Sequence, residues 1–282
     1  MKRILKKIST LIIGTATLVL CACSGNSDEI VIGEDGSNNR NAIVSFIDDY
    51  SFYIDYIEYQ MVGSHIEVVG YDEIEHVTYV KPYAKITIDG TTYETKAIRG
   101  KCKERRFSDG TLVNYFSALP RSLEKIDIPS TVTEIGEGAF ANLNIGSIVI
   151  PEGVVSIGDG AFSGCQNLDS ISLPSTLRFI GHHAFFNCKS LENISLPESL
   201  TEISWDPFRL CGGTGDILDY FASGACWAFS GCSSLKRVDC YAVKPPVRFW
   251  AGPSDIDIHV PASSLQAYQE EWRRVNNVIG DL

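Results

Sequence analysis

Apolar and polar residues alternate with a fixed period over residues 123–197. The phrase IDIP at 126–129 returns as IVIP at 148–151, ISLP at 171–174 and ISLP at 194–197, in steps of 22, 23 and 23 residues. A second phrase, I-G-x-x-A-F, keeps the same step and begins at Ile135, Ile157 and Ile180. A period of this size predicts a solenoid, in which each repeat is one supersecondary unit stacked on its neighbours.

Each repeat begins with a predicted strand of the form L-x-x-I-x-I. It occurs at 123–128, 168–173 and 191–196, and a looser version (LKRVDC) occurs at 235–240. The proline after the strand ends its pairing because proline has no N–H to donate. The glycine of the second phrase permits a turn, and the phenylalanine then points inward. The stacked strands would form a parallel sheet with neighbours about 4.8 Å apart.

Residues 42–118 have a different pattern. Residues 52–59 (FYIDYIEY) are rich in aromatic and β-branched side chains, and 85–88 (KITI) alternate before a hairpin signal at Asp89 and Gly90. The pattern predicts a small antiparallel β module. Because a solenoid must cover its first apolar rung, we expect this module to be the N-terminal cap.

Residues 255–282 are predicted to be the C-terminal cap of a repeat domain that spans 119–282. Ser263 or Ser264 can cap a helix there. The side chains that would share one face of this helix are Leu265, Tyr268, Trp272 and Val275.

The phrases I-x-I-P, I-G-x-x-A-F and F-S-G-C resemble the BspA-like leucine-rich-repeat family of bacterial surface proteins, strongly over 123–240 and loosely over 50–122. The tail resembles that family's closing segment, with IHVP at 258–261 and LQAY at 265–268. The sequence therefore predicts a β-rich, right-handed leucine-rich-repeat solenoid with a parallel sheet, an N-terminal antiparallel β cap and a C-terminal capping helix. One departure is that Pro129 stands where many such repeats place Asn or Cys.

A second departure is the interruption of the fourth repeat. Cys211 and Cys232 stand 21 residues apart, so that either Phe208 or Phe229 could be the repeat phenylalanine. The extra segment is predicted near 212–227, and long excursions from a repeat often lie on the binding face. Its candidate binding residues are Asp216, Asp219, Tyr220, Phe221 and Trp227.

Residues 1–22 have the features of a secretory signal peptide: four basic residues at positions 2–7 and an apolar run at 11–20. The ending LCAC at 20–23 resembles the lipobox of bacterial lipoproteins, which implies cleavage before Cys23 and lipid attachment to it. We expect an exported protein that is lipid-anchored in the cell envelope, at the outer membrane or cell surface. Residues 23–41, rich in Ser, Gly, Asn and Asp, are predicted to be a flexible tether.

The charge balance excludes one class of partner. Four of the 24 basic residues and none of the 35 acidic residues lie in 1–22, so the mature chain would have a net charge of −15. Such a surface repels the phosphate backbone, and nucleic-acid binding is therefore not expected.

The cysteines and histidines are predicted to be structural. Cys165, Cys188, Cys211 and Cys232 each follow a repeat phenylalanine by three residues, which predicts a buried interior rung rather than a metal site. For Cys102, Cys226 and Cys240 a disulfide stays open. His182 and His183 are expected to be exposed turn residues that point apart. The sequence has no catalytic motif, and no metal or cofactor is predicted.

What remains as a candidate site is the row of variable positions along the predicted sheet. These residues are Glu124, Asp127, Asp169, Ser172, Glu192, Ser195, Lys236 and Asp239. The hypothesis is protein or glycan binding, and the resemblance implies adhesion to host or neighbouring-cell proteins. The alternative is a structural or accessory subunit of an envelope assembly, and an enzyme is the least expected class.

Overall fold

The computed structural model describes residues 30–32, 44–46, 51–54, 57–71, 77–88, 90–100, 119–204, 228–246, 256–272 and 277–282. The N-terminal strands are β1 (Ile30–Ile32), β2 (Val44–Phe46), β3 (Ser51–Ile54), β4 (Ile57–Val62), β5 (His65–Tyr71), β6 (Tyr79–Val80), β7 (Lys85–Ile88) and β8 (Thr91–Ile98). β2 to β5 form an antiparallel meander, and β7 and β8 form the antiparallel hairpin that the sequence predicts. β1 pairs antiparallel with β7, so the range predicted as a flexible tether contains a paired strand.

Each of the first four repeats contributes two strands, and the fifth contributes one in the described residues. The first kind follows the L-x-x-I-x-I pattern: β9 (Lys125–Ile126), β11 (Ser147–Val149), β13 (Ser170–Ser172), β15 (Asn193–Leu196) and β17 (Arg237–Cys240). The second kind ends at the isoleucine of the Ile-Gly phrase: β10 (Glu134–Ile135), β12 (Ser156–Ile157), β14 (Phe179–Ile180) and β16 (Glu202–Ile203). Both kinds pair in parallel, which confirms the predicted leucine-rich-repeat solenoid and adds a second row of strands to it.

The N-terminal strands continue directly into the repeats. β8 pairs in parallel with β10, and β6 pairs in parallel with β9, so each row of repeat strands begins in the N-terminal segment. Arg99 spans this junction, with Nε 3.0 Å from Glu67 Oε2 and Nη2 3.0 Å from Glu134 Oε2. Since Arg99 is partly exposed, these two ion pairs contribute at most about 1 kcal/mol each to stability. The junction is therefore stabilised mainly by the strand pairing and the buried isoleucines.

The core is a column of repeat side chains. Phe140, Phe162, Phe185 and Phe229 stack with ring centroids 5.1, 5.4 and 5.2 Å apart. Beside them, the thiols of Cys165, Cys188 and Cys232 donate hydrogen bonds to the carbonyl oxygens of the preceding repeat's phenylalanine at 2.9, 3.2 and 3.1 Å. These three cysteines are free and fully buried, as predicted for an interior rung, and the fourth cysteine of that prediction, Cys211, lies outside the described residues. Burial raises the pKa of the Cys165 thiol to about 12.

Phe229 occupies the phenylalanine position of the fourth repeat. Its ring stacks on Phe185, Phe185 N–H donates to Ala228 O, and β15 pairs directly with β17. Two residues separate Gly181 from Ala184 in the third repeat, whereas 23 residues separate Ser204 from Ala228. The insertion therefore enters at the turn before the phenylalanine, between residues 204 and 228. Its predicted binding residues, Asp216, Asp219, Tyr220, Phe221 and Trp227, lie outside the described residues, as does Cys23.

The C-terminal segment adds β18 (Asp257–Val260), a 3₁₀ turn (Ala262–Ser264), the helix α1 (Leu265–Glu271) and β19 (Asn277–Gly280). The helix is confirmed, with Tyr268 and Trp272 buried against the core and Tyr268 Oη donating to Ala242 O at 2.7 Å. Ser264 occupies the N-cap position but makes no capping hydrogen bond through its side chain. Cys240, left open above, is a free buried thiol 3.2 Å from Tyr268 Oη.

Within the described ranges, no helix is both long enough and apolar enough to cross a membrane.

The glycine of the Ile-Gly phrase has a different role from the predicted turn. Gly136, Gly158 and Gly181 do not have positive φ. A Cβ on Gly158 would lie 2.8 Å from the Glu137 backbone nitrogen, and one on Gly181 would lie 2.5 Å from the Asp159 backbone nitrogen. Glycine is required here because neighbouring coils touch through their backbones. The left-handed turn comes two residues later, at Gly138 and Gly160, where φ is +59°.

The first prediction tests this close approach. Gly158→Ala is expected to destabilise the protein by about 1–3 kcal/mol, because the new methyl group can only fit if two coils separate. The matched control is Gly146→Ala, where a Cβ meets nothing within 4 Å and should be neutral or slightly stabilising. Thermal unfolding followed by circular dichroism measures both. Equal midpoints for the two variants would remove the backbone-contact explanation.

The second prediction tests the thiol column. Cys188 is fully buried between Cys165 and Cys232, and the neighbouring Cys232 side chain together with burial raises the pKa of its thiol. Cys188→Asp is expected to unfold the repeats or to cost about 3–5 kcal/mol, since it buries an unpaired carboxyl group. Cys188→Ala, the control, should cost about 1 kcal/mol. A near-native denaturation midpoint for Cys188→Asp would contradict the interior assignment.

Candidate binding face

Of the eight predicted face residues, Ser172, Ser195 and Asp239 lie in first-kind strands, and the other five directly precede or follow such a strand. Along each strand the central isoleucine or valine points into the core, and the residues before and after it point to solvent. Glu124, Asp169, Ser172, Glu192, Ser195 and Lys236 are exposed, whereas Asp127 and Asp239 are half-buried. We call the outward side of β6, β9, β11, β13, β15, β17, β18 and β19 the repeat face.

Strand register brings some of these residues together. Ser195 lies opposite Asp239, and the Lys236 ammonium is 3.6 Å from Glu192 Oε1. Ser172, by contrast, lies opposite Val149, a residue that the prediction omitted. The predicted positions are therefore neighbours within groups of strands, with unpredicted residues between them.

Most charges on the repeat face are compensated locally. Arg237 Nε lies 2.7 Å from Asp239 Oδ1, and Lys125 Nζ lies 3.8 Å from Asp127 Oδ1. Exposed pairs of this kind contribute little to stability, about 0–1 kcal/mol. These ion pairs affect recognition, because a binding partner meets neighbouring charges of opposite sign rather than a surface of uniformly positive or negative potential.

The middle of the face is built from short side chains. The outward residues of β11, β13 and β15 are Ser147, Val149, Ser170, Ser172, Asn193 and Ser195. Val149 is 70% exposed, the most exposed large apolar side chain in the described part of the chain. It lies directly beside Ser172 in the parallel register. The centre of the repeat face is thus formed by short polar side chains, with Val149 as its one apolar side chain.

β6 adds residues that the sequence interpretation missed. Tyr79 lies opposite Lys125, and its hydroxyl donates to Asp127 Oδ2 at 2.5 Å. The hydrogen bond to Asp127 raises the pKa of Tyr79, so the phenol stays protonated as a donor. The Lys125 ammonium lies 5.6 Å from the centre of the Tyr79 ring. A signal was available, since Val77, Val80 and Pro82 follow a shortened form of the repeat pattern.

The C-terminal strands extend the face further than predicted. His259 lies opposite Asp239, and Ile279 lies opposite His259. His259 is buried, with 7% of its surface exposed, and its Nδ1 is 2.7 Å from Asp281 Oδ1. The I-x-V-P phrase at 258–261 marked β18, but β19 follows the helix and has no leucine before it.

Both histidines lie in a turn, as predicted, but the prediction that they are exposed and point apart is wrong. His182 is buried, with 2% of its surface exposed, and its backbone N–H donates to Asp159 Oδ1 at 2.9 Å. Its ring centroid lies 3.9 Å from that of His183, so the two side chains do not point apart. His183 has φ +53° at the position where Gly138 and Gly160 stand in earlier repeats. The two rings therefore pack against each other at the turn of the third repeat.

In the ranges that the structure describes, no group of three or more His, Cys, Asp or Glu side chains is placed to hold a metal ion.

Residues 113–236 match a family model described as BspA type leucine rich repeat region, in six copies. No curated protein matches the chain. Among solved structures, the T. pallidum leucine rich repeat protein (TpLRR) is 22% identical with a TM-score of 0.50, over 73% of this chain and 78% of that one. A leucine rich cell surface protein from Faecalibacterium prausnitzii A2-165 is 16% identical with a TM-score of 0.37, over 83% of this chain and 73% of that one. The first likeness supports the fold described above.

Proposed function

We propose that this chain, in which residues 113–236 match a BspA type leucine rich repeat region in six copies, binds a protein partner through the repeat face. Domains of this family and fold are typically not enzymes, and proteins that carry them are usually exported or at the cell surface. The observation that carries the proposal is the exposed Val149 in the middle of a polar face.

The chemistry of the face favours a protein over a glycan. Binding energy at protein interfaces concentrates on a few central side chains surrounded by energetically near-neutral contacts that exclude water. Val149 has this setting, with serines beside it and compensated ion pairs at the strands beyond. The serines also lose little side-chain entropy on binding, unlike long flexible side chains. A sugar would need several convergent donors and acceptors, and the centre of the face offers four serine hydroxyls and the Asn193 amide on separate strands.

We further propose that the protein is exported and lipid-anchored in the cell envelope through Cys23, and that the binding serves adhesion to host or neighbouring-cell proteins. The basic start, the apolar run and the terminal LCAC phrase support the anchor. The insertion residues Asp216, Asp219, Tyr220, Phe221 and Trp227 belong to the same proposal, as a second contact region. If the protein is instead an accessory subunit of an envelope assembly, it will co-purify from membranes with other envelope proteins.

The third prediction concerns the centre of the repeat face. Val149→Glu is expected to weaken binding to a recognised partner at least tenfold, because it replaces the apolar anchor by a charge that must be desolvated. The matched control is Val155→Glu, which is 42% exposed but precedes a second-kind strand. Surface plasmon resonance against purified extracellular-matrix proteins and a glycan array gives the readout.

A variant without residues 212–227 separates the insertion from the face. Loss of binding in that variant, with no effect of Val149→Glu, would move the site to the insertion. Binding to glycans alone would contradict the protein assignment.

The fourth prediction concerns the anchor. Cys23→Ala is expected to move the protein from the membrane fraction to the soluble fraction, because no acyl chain can then be attached; each buried methylene contributes roughly 0.8 kcal/mol to membrane binding. Ser24→Ala is the control and should stay with the membranes. If Cys23→Ala stays in the membrane fraction, the proposed lipid attachment is contradicted.

A further inference from the structure

The N-terminal segment folds back onto the sheet. In β1, Ile30 lies opposite Ile88, Val31 opposite Thr87 and Ile32 opposite Ile86. These three residues are the only consecutive apolar residues between positions 24 and 41, in a stretch otherwise rich in Ser, Gly, Asn and Asp. All three are β-branched, the side-chain type that favours strands. The local sequence and the strand pairing therefore agree.

β1 also covers an edge that would otherwise be open. β7 pairs with β8 on one side and with β1 on the other. An uncovered edge strand offers unpaired N–H and C=O groups to other chains, and proteins generally protect such edges. β1 therefore has a structural reason to stay in place, although three residue pairs alone make a short ladder.

From this pairing we infer that β1 is a short leash that holds the β7–β8 hairpin close to the membrane surface. The inference rests on the lipid attachment at Cys23 proposed above. Six residues, 24–29, separate Cys23 from Ile30. However they run, their seven Cα–Cα steps span at most about 25 Å. Without β1, the first anchored strand would be β2, and the 20 residues at 24–43 would reach about 70 Å.

The direction of β1 decides which part of the fold is held. Because β1 runs antiparallel to β7, its lipid-proximal end at Ile30 lies beside Ile88, at the turn of the hairpin. The partner is therefore the bilayer surface, and the surface that meets it is the hairpin turn with Gly90 and Thr91. Farther from the turn, Lys85 and Lys96 both lie within ion-pair distance of Glu94 and lower its pKa, so the hairpin charges largely compensate one another.

The fifth prediction uses two insertions of the same 20-residue Gly/Ser linker into the full-length lipidated protein. Inserted between Glu29 and Ile30, the linker lengthens the leash, and the hairpin should move away from the bilayer by about 25 Å, the mean span of such a linker. Inserted between residues 36 and 37, after β1, the same linker should leave the distance unchanged. The readout is energy transfer from a fluorophore on an unnatural amino acid at position 91 to labelled lipid in phosphatidylethanolamine and phosphatidylglycerol vesicles.

Equal shifts for the two insertions would overturn the leash, because they mean that the chain is free up to β2. Val31→Pro removes a backbone donor from β1 and should make the two insertions equivalent. Hydrogen exchange in a soluble Cys23→Ser protein tests the pairing without lipid: Val31→Pro should speed exchange in residues 85–88. If the wild-type protein does not associate with vesicles while this exchange difference is present, the lipid attachment has failed and the β1 pairing has not.

Discussion

Neighbouring coils of this solenoid are in direct backbone contact, and that spacing determines what each repeat position can hold. At Gly158 and Gly181 the preceding coil lies too close for any side chain. At the phenylalanines the same spacing lets aromatic rings stack at 5.1–5.4 Å, and at the cysteines it brings a thiol within hydrogen-bond distance of the previous coil's carbonyl. The single spacing between coils therefore explains why glycine, phenylalanine and cysteine each recur at their own position in the repeat. The regular face follows from it, because stacked strands cannot slip without breaking all three contacts.

Much of the fold could be predicted because its buried positions recur. The isoleucines, phenylalanines and cysteines repeat at 22 or 23 residues except across the insertion, and all of those in the described repeats are buried or nearly so. The second row of strands was harder to predict. β10, β12, β14 and β16 are each two residues long, which is too short for an alternation of apolar and polar residues to develop. Their glycine also has two explanations, a turn or a close contact, and only the neighbouring coil distinguishes them.

The sequence could predict that repeat strands form much of the candidate site, but not all of the residues that the site contains. The outward positions next to each central isoleucine follow from strand alternation alone. Four of the predicted residues instead stand directly before a strand: Glu124, Asp169, Glu192 and Lys236. Val149 was missed because its repeat has Ile145 where the pattern has leucine, and Tyr79 was missed because β6 lies far from the regular repeats. His182 shows the opposite error. Turn positions are polar in most repeats, and the sequence carries no sign that this turn is covered.

The break between Ser204 and Ala228 has a consequence for how this protein can change over generations. The strands on either side of it, β15 and β17, pair as if nothing stood between them. Closing a connection of 23 residues instead of two costs about 2 kcal/mol of chain entropy, and doubling it again costs about 0.6 kcal/mol more. Mutation can therefore rewrite or lengthen this connection at small thermodynamic cost, whereas a single methyl group at Gly158 disturbs the stack. Descendants of this chain are free to diverge at one turn while they inherit the same scaffold.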